Sequence, residues 1–338
     1  MMVRESVMFL ACPNRCSTNR FELWNAPRWL AERLQKEFPQ LEVIHLDTYE
    51  GIEAHLRDAQ VTISWSLRPE QFLAANKLCW IHSPAAAVHQ LLFPELVNSD
   101  VVLTNAREVH GPVVAEHVMA QILALAKKLP QAIRLQPRHI WGQESMWTKK
   151  PPPREIAGAT LTLVGLGSIG REVAKKASVL GMRVIGLREH PDQGPVEGVS
   201  AIFAPSQLDD ALGQADYVVL AVPLTSRTRA LMNAQRFSRM RPTACLINVS
   251  RGPLVDEAAL TDTLCRGKLA GAALDVFCEE PLPQHSPLWD VENLLITPHT
   301  AAVTEKLWDR HYALIRENLR RYLAHEPLLG VVDKRKGY

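Results

Sequence analysis

Leu161-Thr162-Leu163-Val164-Gly165-Leu166-Gly167-Ser168-Ile169-Gly170 is the stretch on which the fold turns. An apolar run enters three glycines at GxGxxG spacing. Ile169, Val173, Ala177 and Leu180 then recur on one helical face, Gly181 closes the segment, and a second apolar run follows at 183–187. Strand, glycine turn, helix and strand in that order are the context in which each glycine has a purpose. The first permits a tight turn, the second lets a pyrophosphate approach the backbone, and the third lets helix and strand pack closely. The helix start supplies N–H donors to the anion. A plain glycine-rich turn would need none of these flanks, so Gly165, Gly167, Ser168, Ile169 and Gly170 are predicted to hold a dinucleotide.

The residue closing the next strand selects between the two nicotinamide dinucleotides, because a carboxylate there accepts the ribose hydroxyls and repels a 2′-phosphate. Here it is Arg188, 18 positions after Gly170. A guanidinium is always charged and offers a planar fork to a phosphate. The expected cofactor is therefore NADP(H), with NAD(H) also possible. Glu189 beside it would repel the phosphate if it pointed inward, and a surface arginine at a strand end is the plain alternative.

Outward from this motif, short apolar runs alternate with segments of helical spacing. One series lies at 6–10, 42–46, 61–65, 79–82 and 101–104, and another at 161–165, 183–187, 217–222, 244–249, 271–277 and 294–297. Alternation of this kind predicts parallel strands joined by crossover helices. The expected fold class is α/β, with two Rossmann-like doubly wound domains. Between the two series, residues 113–129 are apolar on nearly all sides, with Pro112 expected to open that helix and Pro130 to follow its end. Such a helix must be buried on two faces, within one domain or across a subunit boundary. Trp141, Trp147 and Pro151-Pro152-Pro153 follow as a stiff connector. A last helix is expected from about Thr304, with Leu307, His311, Ile315, Leu319 and Tyr322 on one face.

The chain has 338 residues, 47% hydrophobic and 22% charged, with net charge +2. At about 150 residues per domain this allows two domains, each able to bury a core. So small a net charge makes no field that collects nucleic acid or anionic lipid, and only Lys334, Arg335 and Lys336 form a short basic tail. No run approaches the ~20 uninterrupted apolar residues of a spanning helix, and the N-terminus lacks a signal-peptide layout. Partners of those two kinds are not expected, and a cytoplasmic location is. The six cysteines are scattered, as in a reduced compartment. Cys12 and Cys16 could ligate a metal, but no second pair lies nearby, so no metal is expected.

The chain resembles the D-isomer-specific 2-hydroxyacid dehydrogenases over essentially its whole length. The resemblance is carried by the glycine motif and by Asn105-Ala-Arg-Glu-Val-His-Gly-Pro-Val-Val-Ala-Glu-His117, Val222-Pro-Leu-Thr225 and Ile247-Asn-Val-Ser-Arg251-Gly-Pro-Leu-Val-Asp256-Glu. Leu274-Asp275-Val-Phe-Cys-Glu-Glu280-Pro, Thr297-Pro-His299 and Val332-Asp-Lys complete it. It implies a flavodoxin-like substrate domain (1–106 with 303–338) into which an NAD(P)-binding Rossmann domain (107–302) is inserted, with the active site in the cleft. It also implies no appended regulatory domain, unlike longer phosphoglycerate dehydrogenases. The cofactor contacts it implies come from Val222, Pro223, Thr228, Val249 and Asp275, the last beside the nicotinamide amide and set within the 271–277 strand. The partner it implies is a small 2-keto or 2-hydroxy acid such as glyoxylate or hydroxypyruvate.

Reducing a 2-keto acid places hydride on carbon and negative charge on oxygen, so the site needs a cation and a proton donor. Arg251, just past a strand end, can hold carboxylate and carbonyl together. His299 is the candidate acid, because imidazole titrates near neutrality. The resemblance and the strand-end position select it from 12 histidines. Glu280 is expected to pair with it, with Glu279 the neighbouring alternative. Formate dehydrogenases resemble the pattern but carry Gln at that position, since formate oxidation transfers no proton. The loop 83–89 departs from the glycine-rich loop common in the family, with Ala87 where Gly is usual. The backbone N–H groups of Ala86 and Ala87 are expected to hold the substrate carboxylate. Trp65 and Leu67 face either the substrate's variable group or the core, and Trp141 or Trp147 could reach the site of a second subunit in a homodimer. A non-enzymatic NAD(P)-sensing protein, like corepressors that resemble this family, is the rival reading, and the fold alone does not separate the two.

Overall fold

The computed structural model describes residues 5–10, 22–47 and 51–337, so the pair Cys12 and Cys16 lies outside the described residues. The chain divides into two compact units, residues 1–110 with 303–338, and residues 111–302.

The first unit is built on a five-stranded parallel sheet. Its strands are β1 (Glu5–Leu10), β2 (Leu41–Leu46), β3 (Val61–Ile63), β4 (Trp80–Ser83) and β5 (Val102–Asn105). Their order is β2-β1-β3-β4-β5, the flavodoxin-like winding. β3 and β4 are buried along their whole length, as strands covered on both faces must be, whereas β2 at the edge buries only its first residue. The helix Leu307–Leu323 lays Trp308, Ile315 and Leu319 against Leu34 and Trp80. It starts three residues after the expected Thr304 but presents the expected face. Of the basic tail, Arg335 and Lys336 are exposed and Lys334 is half-buried. Lys334 Nζ donates to the carbonyls of Leu96, Ser99 and Val101 at 2.6–3.0 Å, joining the end of the helix Pro94–Val97 to the turn that leads into β5.

The second unit carries seven parallel strands: β6 (Thr160–Val164), β7 (Arg183–Leu187), β8 (Ala201–Phe203), β9 (Tyr217–Leu220), β10 (Cys245–Asn248), β11 (Gly271–Leu274) and β12 (Leu294–Ile296). Their order, β12-β11-β10-β9-β6-β7-β8, reverses direction between β9 and β6, the Rossmann arrangement with its switch point at β6. Side chains alternate between two helical layers with the period of two that a strand imposes. Leu161, Leu163, Val219, Ile247 and Ala273 enter one core with Val118, Ile122, Val173 and Ala177. Val164, Val218, Leu220, Leu246 and Leu274 enter the other with Phe237 and Leu260. β8 has no counterpart in the sequence reading, because three half-buried residues at a sheet edge leave no continuous apolar run.

The helix on 113–129 is corrected. It runs from Arg107 to Ala126, with Pro112 inside it rather than at its start. Asn105 Oδ1 accepts from the Arg107 N–H and so begins the helix before the proline is reached. Gly111, with no side chain to clash with the following ring, lets the helix continue through Pro112. Pro130 does follow the helix end, and it lies in the first turn of a new helix, Leu129–Leu135. By length and composition Arg107–Ala126 could cross a bilayer, contrary to the expectation from uninterrupted runs. More than half (56%) of its apolar window is buried inside the protein, as in a core helix.

Candidate active site

Parallel pairing brings the last residues of six strands into one row. Ile296 is level with Leu274, Leu274 with Asn248, Asn248 with Leu220, Leu220 with Val164 and Val164 with Leu187. The loop after each of these strands therefore emerges on one edge of the sheet, where doubly wound folds bind ligands. Gly165, Arg188, Ala221, Val249, Asp275 and Thr297 are the first residues out, and Arg251 and His299 come two residues later in their loops. Asp275 is thus just beyond its strand, not within it.

The three motif glycines have different constraints. Gly165 has φ +107°, and a Cβ on it would meet the Ala221 carbonyl oxygen at 2.4 Å. A Cβ on Gly170 would meet the Gly165 oxygen at 2.0 Å, so helix and turn touch there. Gly167 precedes the helix Ser168–Val179, and a Cβ on it would find nothing within 4 Å. The chain itself therefore gives no reason for glycine at 167. The open space lies at the start of a 12-residue helix, with Ser168 and Ile169 in its first turn. That is the fit expected for a pyrophosphate against bare backbone.

Arg188 is half-buried, and its guanidinium donates to the carbonyls of Pro191 and Gly194, which fixes it at the end of β7. Glu189 is paired with Arg227 at 2.8 Å, so its negative charge is compensated rather than free to repel an anion. Thr228 donates to the Pro223 carbonyl at 2.7 Å and accepts from the Thr225 N–H at 2.8 Å, closing the loop after β9. Ser250 Oγ donates to the Val222 carbonyl, and Val249 is buried in the core.

Arg251, Glu280 and His299 all belong to the second unit. Gly252 explains how Arg251 comes close to the others, since a Cβ there would lie 1.9 Å from the Phe277 carbonyl carbon and 2.3 Å from the Cys278 nitrogen. Only glycine lets the two loops touch. Burial lowers the Arg251 pKa and the Glu280 carboxylate opposes that shift, while the guanidinium remains charged. Glu280 Oε1 accepts from the Phe277 N–H at 2.9 Å, and Oε2 lies 2.6 Å from His299 Nδ1. Burial raises the Glu280 pKa, but the bond and charge of His299, the Phe277 N–H and Arg251 outweigh it and hold the carboxyl below its ordinary value. A carboxylate only accepts, so Nδ1 carries the hydrogen and Nε2 faces outward. His299 is half exposed (49%), as a group that meets a ligand must be. It is Glu280, not Glu279, whose carboxylate meets the imidazole.

Asp275 is 1% exposed, and both its oxygens are engaged within the chain. Oδ1 accepts from Thr297 Oγ1 at 2.6 Å and from the Thr300 N–H at 2.9 Å, and Oδ2 accepts from the Ala301 N–H at 2.9 Å. The His299 N–H donates to its carbonyl at 2.9 Å. Four bonds to one residue hold the turn in which His299 takes φ +53°, a left-handed conformation that few non-glycine residues adopt. This geometry makes Asp275 the anchor of the His299 turn, a task that the sequence reading did not give it. Thr297, Gln121 and His117 were also missed as contributors. His117 and Thr297 stand in quoted motifs, but no local pattern ties residues 180 positions apart.

The remaining candidates lie elsewhere. In the first unit, the Ala85 and Ala86 carbonyls accept from the Ala106 N–H and Asn105 Nδ2, at 3.2 and 2.7 Å. The Ala86 and Ala87 N–H groups meet no acceptor among the described residues. Neither residue has positive φ, so Ala87 in place of glycine strains nothing. Leu67 is core at 3% exposure, whereas Trp65 is half-buried with its ring edge-on to Trp24. Trp147 is on the surface of the second unit beside Gln143, Met146 and Pro153.

Residues 119–301 match the family model for the D-isomer specific 2-hydroxyacid dehydrogenase, NAD binding domain. The chain is 34% identical over 266 residues to a glyoxylate reductase of Thermofilum pendens, covering 77% of this chain and 76% of that protein. It is 30% identical over 306 residues to a D-3-phosphoglycerate dehydrogenase of Methanocaldococcus jannaschii, covering 90% of this chain and 57% of that one. The chain spans about half the length of the phosphoglycerate dehydrogenases it matches. Among solved structures it is similar to an NADPH-dependent glyoxylate/hydroxypyruvate reductase of Sinorhizobium meliloti in complex with NADP and sulfate. There the TM-score is 0.80 and the identity 28%, with 99% of this chain and 100% of that chain covered.

Proposed function

The chain belongs to the D-isomer specific 2-hydroxyacid dehydrogenase family, and from that premise we propose that it reduces a small 2-keto acid of the glyoxylate or hydroxypyruvate kind to the D-2-hydroxy acid, with NADPH preferred to NADH. The observation that carries the reading is the 2.6 Å contact between Glu280 and His299, on the sheet edge that also presents Arg251 and the glycine turn. Gly165, Gly167, Ser168, Ile169 and Gly170 would hold the pyrophosphate, Arg188 the ribose end, and Val222, Pro223, Thr228, Val249 and Asp275 the remainder. When bound, the nicotinamide supplies the hydride. Arg251 binds carboxylate and keto oxygen through its planar fork and stabilises negative charge as it develops on that oxygen. His299 gives its Nε2 proton to the alkoxide, and Glu280 keeps the ring oriented and favours its charged form. In the first unit, Ala86 and Ala87 offer N–H donors of the kind a carboxylate accepts. A steady-state screen of glyoxylate, hydroxypyruvate, pyruvate and aromatic keto acids with both cofactors tests the reading. Turnover of none of them would remove it.

Cofactor preference rests on Arg188 and on compensation of Glu189 by Arg227. The expected result is a higher kcat/KM with NADPH than with NADH, and loss or reversal of that gap in Arg188→Asp. Equal or better use of NADH by the unmodified protein would transfer the ribose contact to Glu189.

Assembly as a homodimer is supported by the second unit. Exposed large apolar side chains gather on one segment, with Ile133 65%, Trp141 90% and Trp147 64% exposed. Apolar surface so concentrated is a mark of association, and two-fold dimers are its commonest form. Trp147 would meet substrate only from a partner subunit. Sedimentation velocity at micromolar concentration should give a dimer. A monomer there would leave these side chains as plain surface.

A further inference from the structure

Behind the turn that carries His299 lies a polar cluster in which the proposed reaction gives Thr297, Gln121 and His117 no role. Thr297 Oγ1 donates to Asp275 Oδ1, a carboxylate oxygen that can only accept, so the hydroxyl presents its lone pairs to the helix Arg107–Ala126. Two side chains of that helix, one turn apart, meet it. Gln121 Nε2 donates to Thr297 Oγ1 at 3.2 Å and to His117 Nε2 at 3.0 Å, and His117 Nε2 lies 3.1 Å from the same hydroxyl. His117 Nε2 is also 3.6 Å from Asp275 Oδ1. Gln121 is 2% exposed. Buried polar groups at this density are high-stakes, because a missing member strands the others.

We infer that His117 and Gln121 are positioning residues for the proton donor: Gln121 braces Thr297 against Asp275, His117 accepts the other amide hydrogen and fixes Gln121, and together they hold the turn in which His299 meets Glu280. The inference rests on the function proposed above, since it assigns these residues to the same acid. Its physical content lies in the His299 backbone. A left-handed φ at histidine persists only while surrounding bonds over-determine it. Asp275 supplies those bonds, and the Thr297 hydroxyl is one of the three donors that orient its carboxylate. As bonded, His117 accepts from Gln121, which requires its Nε2 to carry no hydrogen. Burial lowers the His117 pKa and the facing Asp275 carboxylate opposes that shift, a balance consistent with the neutral form. The charged groups facing His299 itself are Glu280 directly and Arg251 through Glu280.

The test uses the full chain with three variants. His117→Phe keeps a ring and loses the nitrogen, Thr297→Val keeps the shape and loses the hydroxyl, and His117→Gln returns an acceptor. Imidazole NMR follows the His299 titration without cofactor or substrate, and kinetics follow kcat and KM. In His117→Phe and in Thr297→Val, the titration of His299 should move to lower pH, because the Glu280 contact loosens. The kcat for keto-acid reduction should fall about tenfold. His117→Gln should restore most of both, and the double variant should be no worse than either single one. An unmoved His299 titration in a folded Thr297→Val protein would overturn the inference whatever happened to the rate. A wild-type protein that turns over no keto acid while the titration still moves would retire the reaction and leave the positioning role standing.

Discussion

His299→Ala should lower the rate of keto-acid reduction by on the order of 10² to 10⁴, the range a positioned general acid contributes, while leaving cofactor binding intact. The pH profile of the unmodified protein identifies the group. Reduction requires the imidazolium, so kcat/KM should fall as pH rises through the titration of His299. Oxidation of the hydroxy acid requires the neutral ring, so it should fall as pH drops through the same range. One group therefore accounts for two opposite limbs. Glu280 is held below the ordinary carboxylate range, so it stays ionised near neutral pH, and a carboxylate 2.6 Å from the ring favours imidazolium over the neutral form. In Glu280→Gln that stabilisation is gone, and both limbs should move to lower pH. The change also removes the acceptor that fixes hydrogen on Nδ1, so the maximal rate should fall as well. If the limbs of Glu280→Gln stay in place while the 2.6 Å pairing partner is gone, the acid is another group and the proton reaches the alkoxide from solvent.

Arg251→Lys should be nearly as damaging although it keeps the charge. The guanidinium holds two oxygens of the keto acid with parallel N–H donors, and an ammonium has no such plane. Binding energy and orientation are lost together, so KM should rise and kcat fall. The combined loss in kcat/KM should be on the order of 10² to 10³, the cost of removing one donor aimed at a developing oxyanion. Arg251 is also packed where Gly252 touches the Phe277 and Cys278 backbone, so a shorter reach cannot be recovered by loop movement. A change confined to KM would show that Arg251 binds the carboxylate alone and that another donor faces the keto oxygen.

The α/β class and the glycine turn were legible because both are local. A strand that feeds GxGxxG and a helix needs no distant information, and short apolar runs marked eleven of the twelve strands among the described residues. β8 escaped because a three-residue edge strand buries too little to leave a pattern. Arg251, Glu280 and His299 could be selected by their place in motifs, and the pairing of Glu280 with His299 was expected from the resemblance, whereas the atoms and distance of that contact came from the structure. Helix ends were less legible. Pro112 reads as a helix start by composition, yet Asn105 and Gly111 together let the helix run through it.

By itself, then, the sequence determined which residue types stand at the ends of the strands, because strand periodicity and turn glycines are properties of neighbouring residues. Only the tertiary structure decided which of those ends are level. Parallel pairing places Ile296, Leu274, Asn248, Leu220 and Val164 in one row, so residues far apart in the chain, such as Val164 and Leu220, leave the sheet side by side. It likewise decided that Asp275 spends its carboxylate on the His299 turn, and that a helix beginning at Arg107 reaches Thr297 from behind. Contacts of this kind depend on strand order and on which helix face packs inward, and no local spacing encodes either one.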